Sequence, residues 1–136
     1  MARALDEGFA DIIALARARL TQVRVEEDVD ADRAILIIEG QLDQYRILIK
    51  ETVSSGRRRY AYYVLLGERV VLGFNNHADR TALRLKFGED YTTHVHDLVP
   101  HRHGPDKINT ILTEAWTAGR FLQELDDLLV SPSSLT

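Results

Sequence analysis

A chain of 136 residues, 45% hydrophobic and 28% charged, has the size and composition of one folded domain rather than of a disordered segment. Its 17 basic and 21 acidic residues leave a net charge of −4, which argues against broad, sequence-independent affinity for nucleic acid but leaves room for a local basic patch. There is no cysteine, so disulfides, thiolate metal sites and a cysteine nucleophile are excluded.

The opening Met1 to Glu7 lacks the apolar core of a signal peptide. No apolar run approaches the roughly 20 residues that span a bilayer, so a cytoplasmic protein with no membrane partner is expected. Leu5, Phe9, Ile12, Ile13, Ala16 and Leu20 recur at helical spacing. Asp6 and Glu7 lie near the start and Arg17 and Arg19 near the end, as the helix dipole prefers. The pattern predicts an amphipathic helix over about residues 4 to 20.

The period then changes. Strands are expected at Gln22 to Glu27, Ala34 to Ile38, Tyr45 to Val53, about Arg59 to Leu66, Val70 to Phe74, and Leu83 to Phe87. Gly67-Glu68 is a glycine-first pair suited to a two-residue type II′ hairpin turn. Short loops imply an antiparallel meander, because parallel pairing needs long crossovers. Gly104-Pro105-Asp106 then predicts the start of a last helix, with Ile108, Ile111, Leu112, Ala115, Leu122, Leu125 and Leu129 on one face. Gly119 falls inside it, where it costs roughly 1 kcal/mol relative to alanine unless close packing offsets that. The predicted architecture is α+β: an antiparallel meander sheet of about five to six strands, with an N-terminal and a C-terminal helix packed on it. Residues 1–130 are expected to form a single domain and the tail 131–136 to fray.

Four of the five histidines fall in one window, as His94-Val95-His96 and His101-Arg102-His103. In extended chain, residues two apart point the same way, so each pair could present two imidazoles to one side. Three readings stay open. On the first, the histidines are surface or capping groups of a connector. On the second they are zinc ligands, with Asp97 or Asp79 as carboxylate partners, although no His-Glu-x-x-His helix accompanies them. On the third they serve acid–base chemistry near neutrality, as in metal-free RNA cleavage, where a base, an acid and a cation are needed together. His101 and His103, with Arg102 or Lys107 as the cation, contain those groups.

Arg57-Arg58-Arg59 follows a Ser-Ser-Gly break and reads either as a solvated charge run or as a phosphate-contacting patch. Tyr60, Tyr62 and Tyr63 follow; Tyr60 and Tyr62 share a face and Tyr63 takes the other, which places at least one in the core. Glu124, Asp126 and Asp127 crowd the end of the last helix, as a solvated face or as a dock for a basic partner. No Gly-rich phosphate loop, nucleophile elbow or dinucleotide fingerprint is present.

The chain order also carries a resemblance. Tyr45-Arg46-Ile47 is followed by Tyr60-Ala61-Tyr62-Tyr63-Val64-Leu65, then Val71-Leu72-Gly73-Phe74-Asn75-Asn76-His77, then Pro100-His101-Arg102-His103. This resembles the TumE family, small proteins of bacteria and archaea assigned as toxin components of toxin–antitoxin pairs. That family has a Tyr-rich strand, a Phe-Asp-Asn-Ala-Pro-His-His-like turn and a Pro-His-His-Lys-His element. The likeness covers roughly residues 39 to 128. It matches Phe74, Asn76 and His77 to the turn, and Pro100, His101 and His103 to the second element. Two departures stand out: Asn75-Asn76-His77-Ala78-Asp79 lacks the Pro-His-His, and the segment Arg80 to Val99 is longer than the pattern.

The resemblance implies a growth-inhibiting toxin, neutralised by a cognate antitoxin with a DNA-binding domain. The histidines suggest a metal-independent ribonuclease, needing no cofactor, with His77, His101, His103 and Arg102 as catalytic candidates and Arg57, Arg58, Arg59 and Lys107 as RNA contacts. The alternatives are a non-catalytic interaction or oligomerisation protein, or a histidine-based zinc-binding protein. An edge strand such as Gln22 to Glu27 could pair across a homodimer.

Overall fold

The alternation in the middle of the chain becomes a seven-stranded antiparallel sheet whose strands lie side by side in chain order. They are β1 (Thr21–Val29), β2 (Arg33–Leu42), β3 (Tyr45–Ser54), β4 (Arg57–Leu66), β5 (Arg69–Asn75), β6 (His101–His103) and β7 (Ile111–Leu112). This computed structural model describes residues 2–105 and 109–130, with the side chains of 8–105 and 109–129. The helix start expected at Asp106 to Ile108, the candidate Lys107, the acids Asp6 and Glu7 and the tail 131–136 lie outside those described residues and side chains. The strand count is slightly above expectation because two short strands, β6 and β7, extend the meander.

Paired residues in an antiparallel sheet point to the same face, so register sorts the side chains. Leu36, Ile49, Tyr62 and Phe74 occupy the first face, which is dry. Two helices close it, α1 (Ala2–Arg19) and a C-terminal helix (Ala118–Val130). Phe9, Ala16 and Leu20 from the first, and Phe121, Leu122 and Leu125 from the second, share one core with the strands. Gly67 takes φ 62 and is the only described positive-φ residue of the β4–β5 turn, in keeping with the expected II′ geometry.

Two elements differ from expectation. Leu83 to Phe87 is not a strand; it belongs to helix α2 (Arg80–Phe87), followed by a 3₁₀ segment (Gly88–His94). Asp79 caps α2, its Oδ1 accepting from the N–H groups of Thr81 at 2.7 Å and Ala82 at 3.2 Å. The alternation of Leu83, Leu85 and Phe87 is misleading, because Leu85 is exposed while the adjacent Ala82 and Leu83 are buried with Val99 in a small second core.

The last helix, α3 (Ala118–Val130), begins later than Pro105. Asn109 takes φ 62, which no right-handed helix allows. Ile111 and Leu112 pair with β6 instead, and Thr117 Oγ1 accepts from the Arg120 N–H at 3.1 Å at the helix start. Gly119 therefore sits in the first turn and meets no crowding neighbour, so close packing does not offset its cost. The acids at its far end are partly paired: Arg120 Nε donates to Glu124 at 2.8 Å, and Arg19 stands 3.8 Å from Asp126.

The dry face also carries charge. Glu51 lies on it, 5% exposed, beside Arg58 at 3.0 Å and accepting a hydrogen bond from the Tyr62 hydroxyl. Burial first, and then the Glu51 charge, push the Tyr62 phenol far above its usual range. Arg58 also donates to the Trp116 carbonyl at 2.7 Å, and the Trp116 N–H donates to the Tyr60 hydroxyl at 3.1 Å. These bonds fasten the segment before α3 to β4. Trp116 in turn stacks on Phe74, with ring centroids 4.1 Å apart.

Glu51→Leu should cost about 1–3 kcal/mol in urea unfolding, because it strips the acceptor from Arg58 and Tyr62. Adding Arg58→Met should recover part of that loss. Fully additive losses in the double variant would contradict this account.

Candidate active site

The second face of the sheet carries the polar chemistry. β5 ends at Asn75, and the next two residues are held by side-chain amides. Asn76 Oδ1 accepts from the Tyr60 N–H at 2.9 Å while its Nδ2 donates to the Arg58 carbonyl at 2.8 Å, so its amide continues the ladder along β4. Asn75 Oδ1 accepts from the His77 N–H at 3.0 Å, and the Asp79 N–H donates to the His77 carbonyl at 2.9 Å. The His77 backbone is thereby fixed on both sides. The chain leaves through α2 and the 3₁₀ segment and returns where the Val99 N–H donates to the Asn76 carbonyl at 3.0 Å. β6 then pairs with β5, setting His101 beside Asn75 and His103 beside Gly73.

Register continues these rows inward. Lys50, Ala61, Asn75 and His101 form one, and Leu48, Tyr63, Gly73 and His103 form the next. Gly73 is needed where it stands. A Cβ there would lie 2.4 Å from His103 Cε1 and 2.8 Å from the Tyr63 ring, so these two rings approach each other across the glycine, 5.9 Å between centroids.

His101 is 1% exposed. Its Nδ1–H donates to the Val99 carbonyl at 2.7 Å, which sets the tautomer. Its Nε2 stands 2.9 Å from Asp79 Oδ2, off the line of a good hydrogen bond, and forms an ion pair when the ring is protonated. In that protonated state Asp79 joins the α2 cap to β6. The Asn75 amide approaches His103 Nε2 at 3.4 Å.

A cleft of about 280 Å³ opens here, lined by Tyr63, Asn75, His77, Asp79, Thr81 and His103 among others. His77 also lines a neighbouring cavity of about 270 Å³ with Lys50, Thr52 and Arg59. Arg59 and Thr52 in turn line a third, about 340 Å³, with Arg57, Ala78 and His96. The three adjoin as one trough between β3–β4 and the excursion that carries α2.

Charge in the trough acts on His77. Partial burial chiefly lowers its pKa, Arg59, His101 and Lys50 lower it further, and Asp79 opposes them. The ring is therefore neutral at pH 7, as a general base must be. Burial pushes the Tyr63 phenol up, against a hydrogen bond with Asn75 that lowers it.

The expected site residues divide. His77 and His103 line the cleft; His101 lies beneath it, tied to Asp79. Arg102 pairs with Phe74 and points to the first face, its guanidinium 5.8 Å from the Phe74 ring centre. Arg58 also lies on that first face, whereas Arg57 and Arg59 line the trough. Arg57 is held by the His96 carbonyl at 2.6 Å. The other histidine pair is elsewhere: His94 stacks on Phe87, centroids 3.7 Å apart, and contacts Asp97 at 2.7 Å. Lys50, Tyr63 and Thr81 are additions to the expected site, and Asp79 stands in the sequence reading only as a possible metal ligand. Among the described residues, no three histidine or carboxylate side chains converge closely enough to hold a metal ion.

Comparison with protein-family models, with curated proteins and with solved structures finds no match for this chain.

Gly73→Ala should force the His103 and Tyr63 rings apart and cost about 1–3 kcal/mol in chemical denaturation. An unmoved His103 imidazole resonance in the variant would show that the glycine is not what lets the rings meet. For His77, an NMR titration should give a midpoint below the ordinary 6.5. Because the unfolded chain holds that proton more tightly, the stability linked to His77 is complete above about pH 6.5 and is lost as pH falls toward the lower folded value. A midpoint at or above 6.5 would refute the desolvated, neutral His77.

Proposed function

We propose that this chain is a toxin of the TumE kind acting as a metal-independent ribonuclease in the cytoplasm, with its antitoxin as cognate partner. The observation that carries the reading is that His77 lines one cleft with His103 and, on its other side, a cavity with Lys50 and Arg59. Cleavage through the 2′-hydroxyl needs a base, an acid and positive charge around one phosphate. His77 takes the 2′-hydroxyl proton, and the 2′-oxygen attacks phosphorus. Lys50 and Arg59 stabilise the charged phosphorane. The bond to the 5′-oxygen breaks, and that oxygen takes a proton from His103, leaving a 2′,3′-cyclic phosphate and a free 5′-hydroxyl. His101 acts as a positioning residue, holding Asp79 and β6 in place.

The resemblance gains support from space as well as order. Phe74 to His77 and Pro100 to His103, the two elements that carry it, lie side by side although more than twenty residues separate them. The extra length of Arg80 to Val99 is α2, the 3₁₀ segment and the return to Asn76. Among the described residues no helix is long and apolar enough to cross a membrane.

A second reading, a non-catalytic interaction protein, is favoured by the burial of His101 and His103 and by the edge strands. β1 and β7 both end the sheet, and Ile111 on β7 is 54% exposed. Either edge could take a strand from an antitoxin or from a second copy.

Induced expression in a bacterial host separates the two. The wild type should arrest growth and fragment total RNA into pieces ending in 2′,3′-cyclic phosphate, while His77→Ala and His103→Ala at matched soluble level should not. Arrest by the histidine variants with RNA intact would replace the ribonuclease with the interaction protein.

A further inference from the structure

We infer that the ligand of this trough is single-stranded RNA, with a phosphate between Lys50 and Arg59 and one amino-bearing base turned into the pocket of Tyr63, Thr81 and Asp79. The inference rests on the ribonuclease reading of the same cleft and names its substrate. It begins with the separation of charge along the trough. Lys50 and Arg59 are exposed on adjacent strands, and neither is joined to a carboxylate among the described residues. Arg57 continues the positive side toward the hairpin tip. Past His77 the lining changes to a phenol, an amide, two threonine hydroxyls (Thr81 and Thr110) and one carboxylate. Cations suit a backbone phosphate; neutral donors and acceptors beside an aromatic ring suit a base.

Size favours a single strand over a duplex. Strand residues and Ala78, Val95, His96 and Leu98 of the excursion together line the Arg57 end. An unstacked strand can place one base in a cleft of about 280 Å³, whereas the bases of paired RNA stay stacked within the helix.

Asp79 supplies the selectivity. One of its oxygens accepts from Thr81 and Ala82, and the other faces His101, yet the side chain remains 44% exposed. A carboxylate offers about four acceptor sites, so capacity remains for a donor from the ligand. Adenine and cytosine present an exocyclic amino group to it. Uracil presents one N–H flanked by two carbonyl oxygens, which the carboxylate repels.

The test uses short fluorescent 2′-O-methyl strands, which cannot be cleaved through the 2′-oxygen, and reads anisotropy on the full chain. Oligo-A and oligo-C should bind about fivefold more tightly than oligo-U, the margin of one hydrogen bond. Asp79→Asn, which keeps a good helix cap, should erase that preference. The double variant Lys50→Gln/Arg59→Gln should bind about tenfold more weakly and lower the salt slope by about 1.4. Arg17→Gln, on helix α1 across the sheet, controls for net charge and should change neither. Equal affinity for duplex, no preference lost in Asp79→Asn, or unchanged binding in the double variant would each overturn the inference. Unmodified strands read the parent hypothesis separately. Binding as described without cleavage removes the ribonuclease and leaves the ligand, while cleavage that still needs Lys50 and Arg59 but shows no base preference and ignores Asp79 removes the base pocket and leaves the ribonuclease.

Discussion

Everything in this structure depends on the two-residue period of antiparallel strands. Along β3, β4, β5 and β6 each step sends the chain's chemistry to one face or the other, and the two faces serve opposite needs. The first must exclude water, so it takes Ile47, Ile49, Tyr62, Phe74 and the two long helices. The second stays partly open and takes Lys50, Arg59, Tyr63, Asn75, His101 and His103. Arg57-Arg58-Arg59 and His101-Arg102-His103 are split by the same rule. In each triplet the middle arginine goes to the helix face while its neighbours face the trough.

Placing arginine on the dry face would be costly if the cation were left alone, since a buried charge without a partner is strongly unfavourable. Arg58 avoids this by meeting Glu51, the Tyr62 hydroxyl and the Trp116 carbonyl. Arg102 lies over the Phe74 ring, where attraction to the aromatic face offsets lost hydration. The Arg58 set also links the two sides functionally. Asn76, whose amide bonds Arg58 and Tyr60 backbone groups, is the residue before His77. The strand that anchors the helix face therefore also sets the height of the candidate base above the sheet.

Much of this was legible beforehand. The N-terminal helix, the five strands from Gln22 to Phe74 and the Gly67-Glu68 turn follow from periodicity and turn chemistry, since each is long or carries a strong local signal. Leu83, Leu85 and Phe87 alternate by chance and imitate a strand at α2, whose decisive signal is Asp79 ahead of Thr81 and Ala82. α3 starts later than the pattern suggests because Ile108, Ile111, Leu112 and Ala115 fit a helical period; Asn109 and the Thr117 cap break it, and neither breaks a hydrophobic pattern. At the site, His101 and His103 could be named from residue type and spacing, and His77 from the resemblance alone. Lys50, Tyr63 and Asp79 could not, because they reach the trough through strand register and a cap that no local window contains. The alternation that turns Arg58 and Arg102 away could have been applied, but β6 is too short to announce itself as a strand.

The excursion between β5 and β6 leaves and re-enters the sheet at nearly one point, where Val99 bonds Asn76, and it has its own small core of Ala82, Leu83 and Val99. β1 to β5 are joined by tight hairpins and form through contacts near in sequence, whereas β6 can dock only after this long detour has closed. An intermediate with five strands paired and the detour open would hold His77 in place but lack both His101 and His103 beside it. Completion of the site is in this way made to coincide with completion of the fold, so a chain still emerging or only partly refolded carries the scaffold without the constellation.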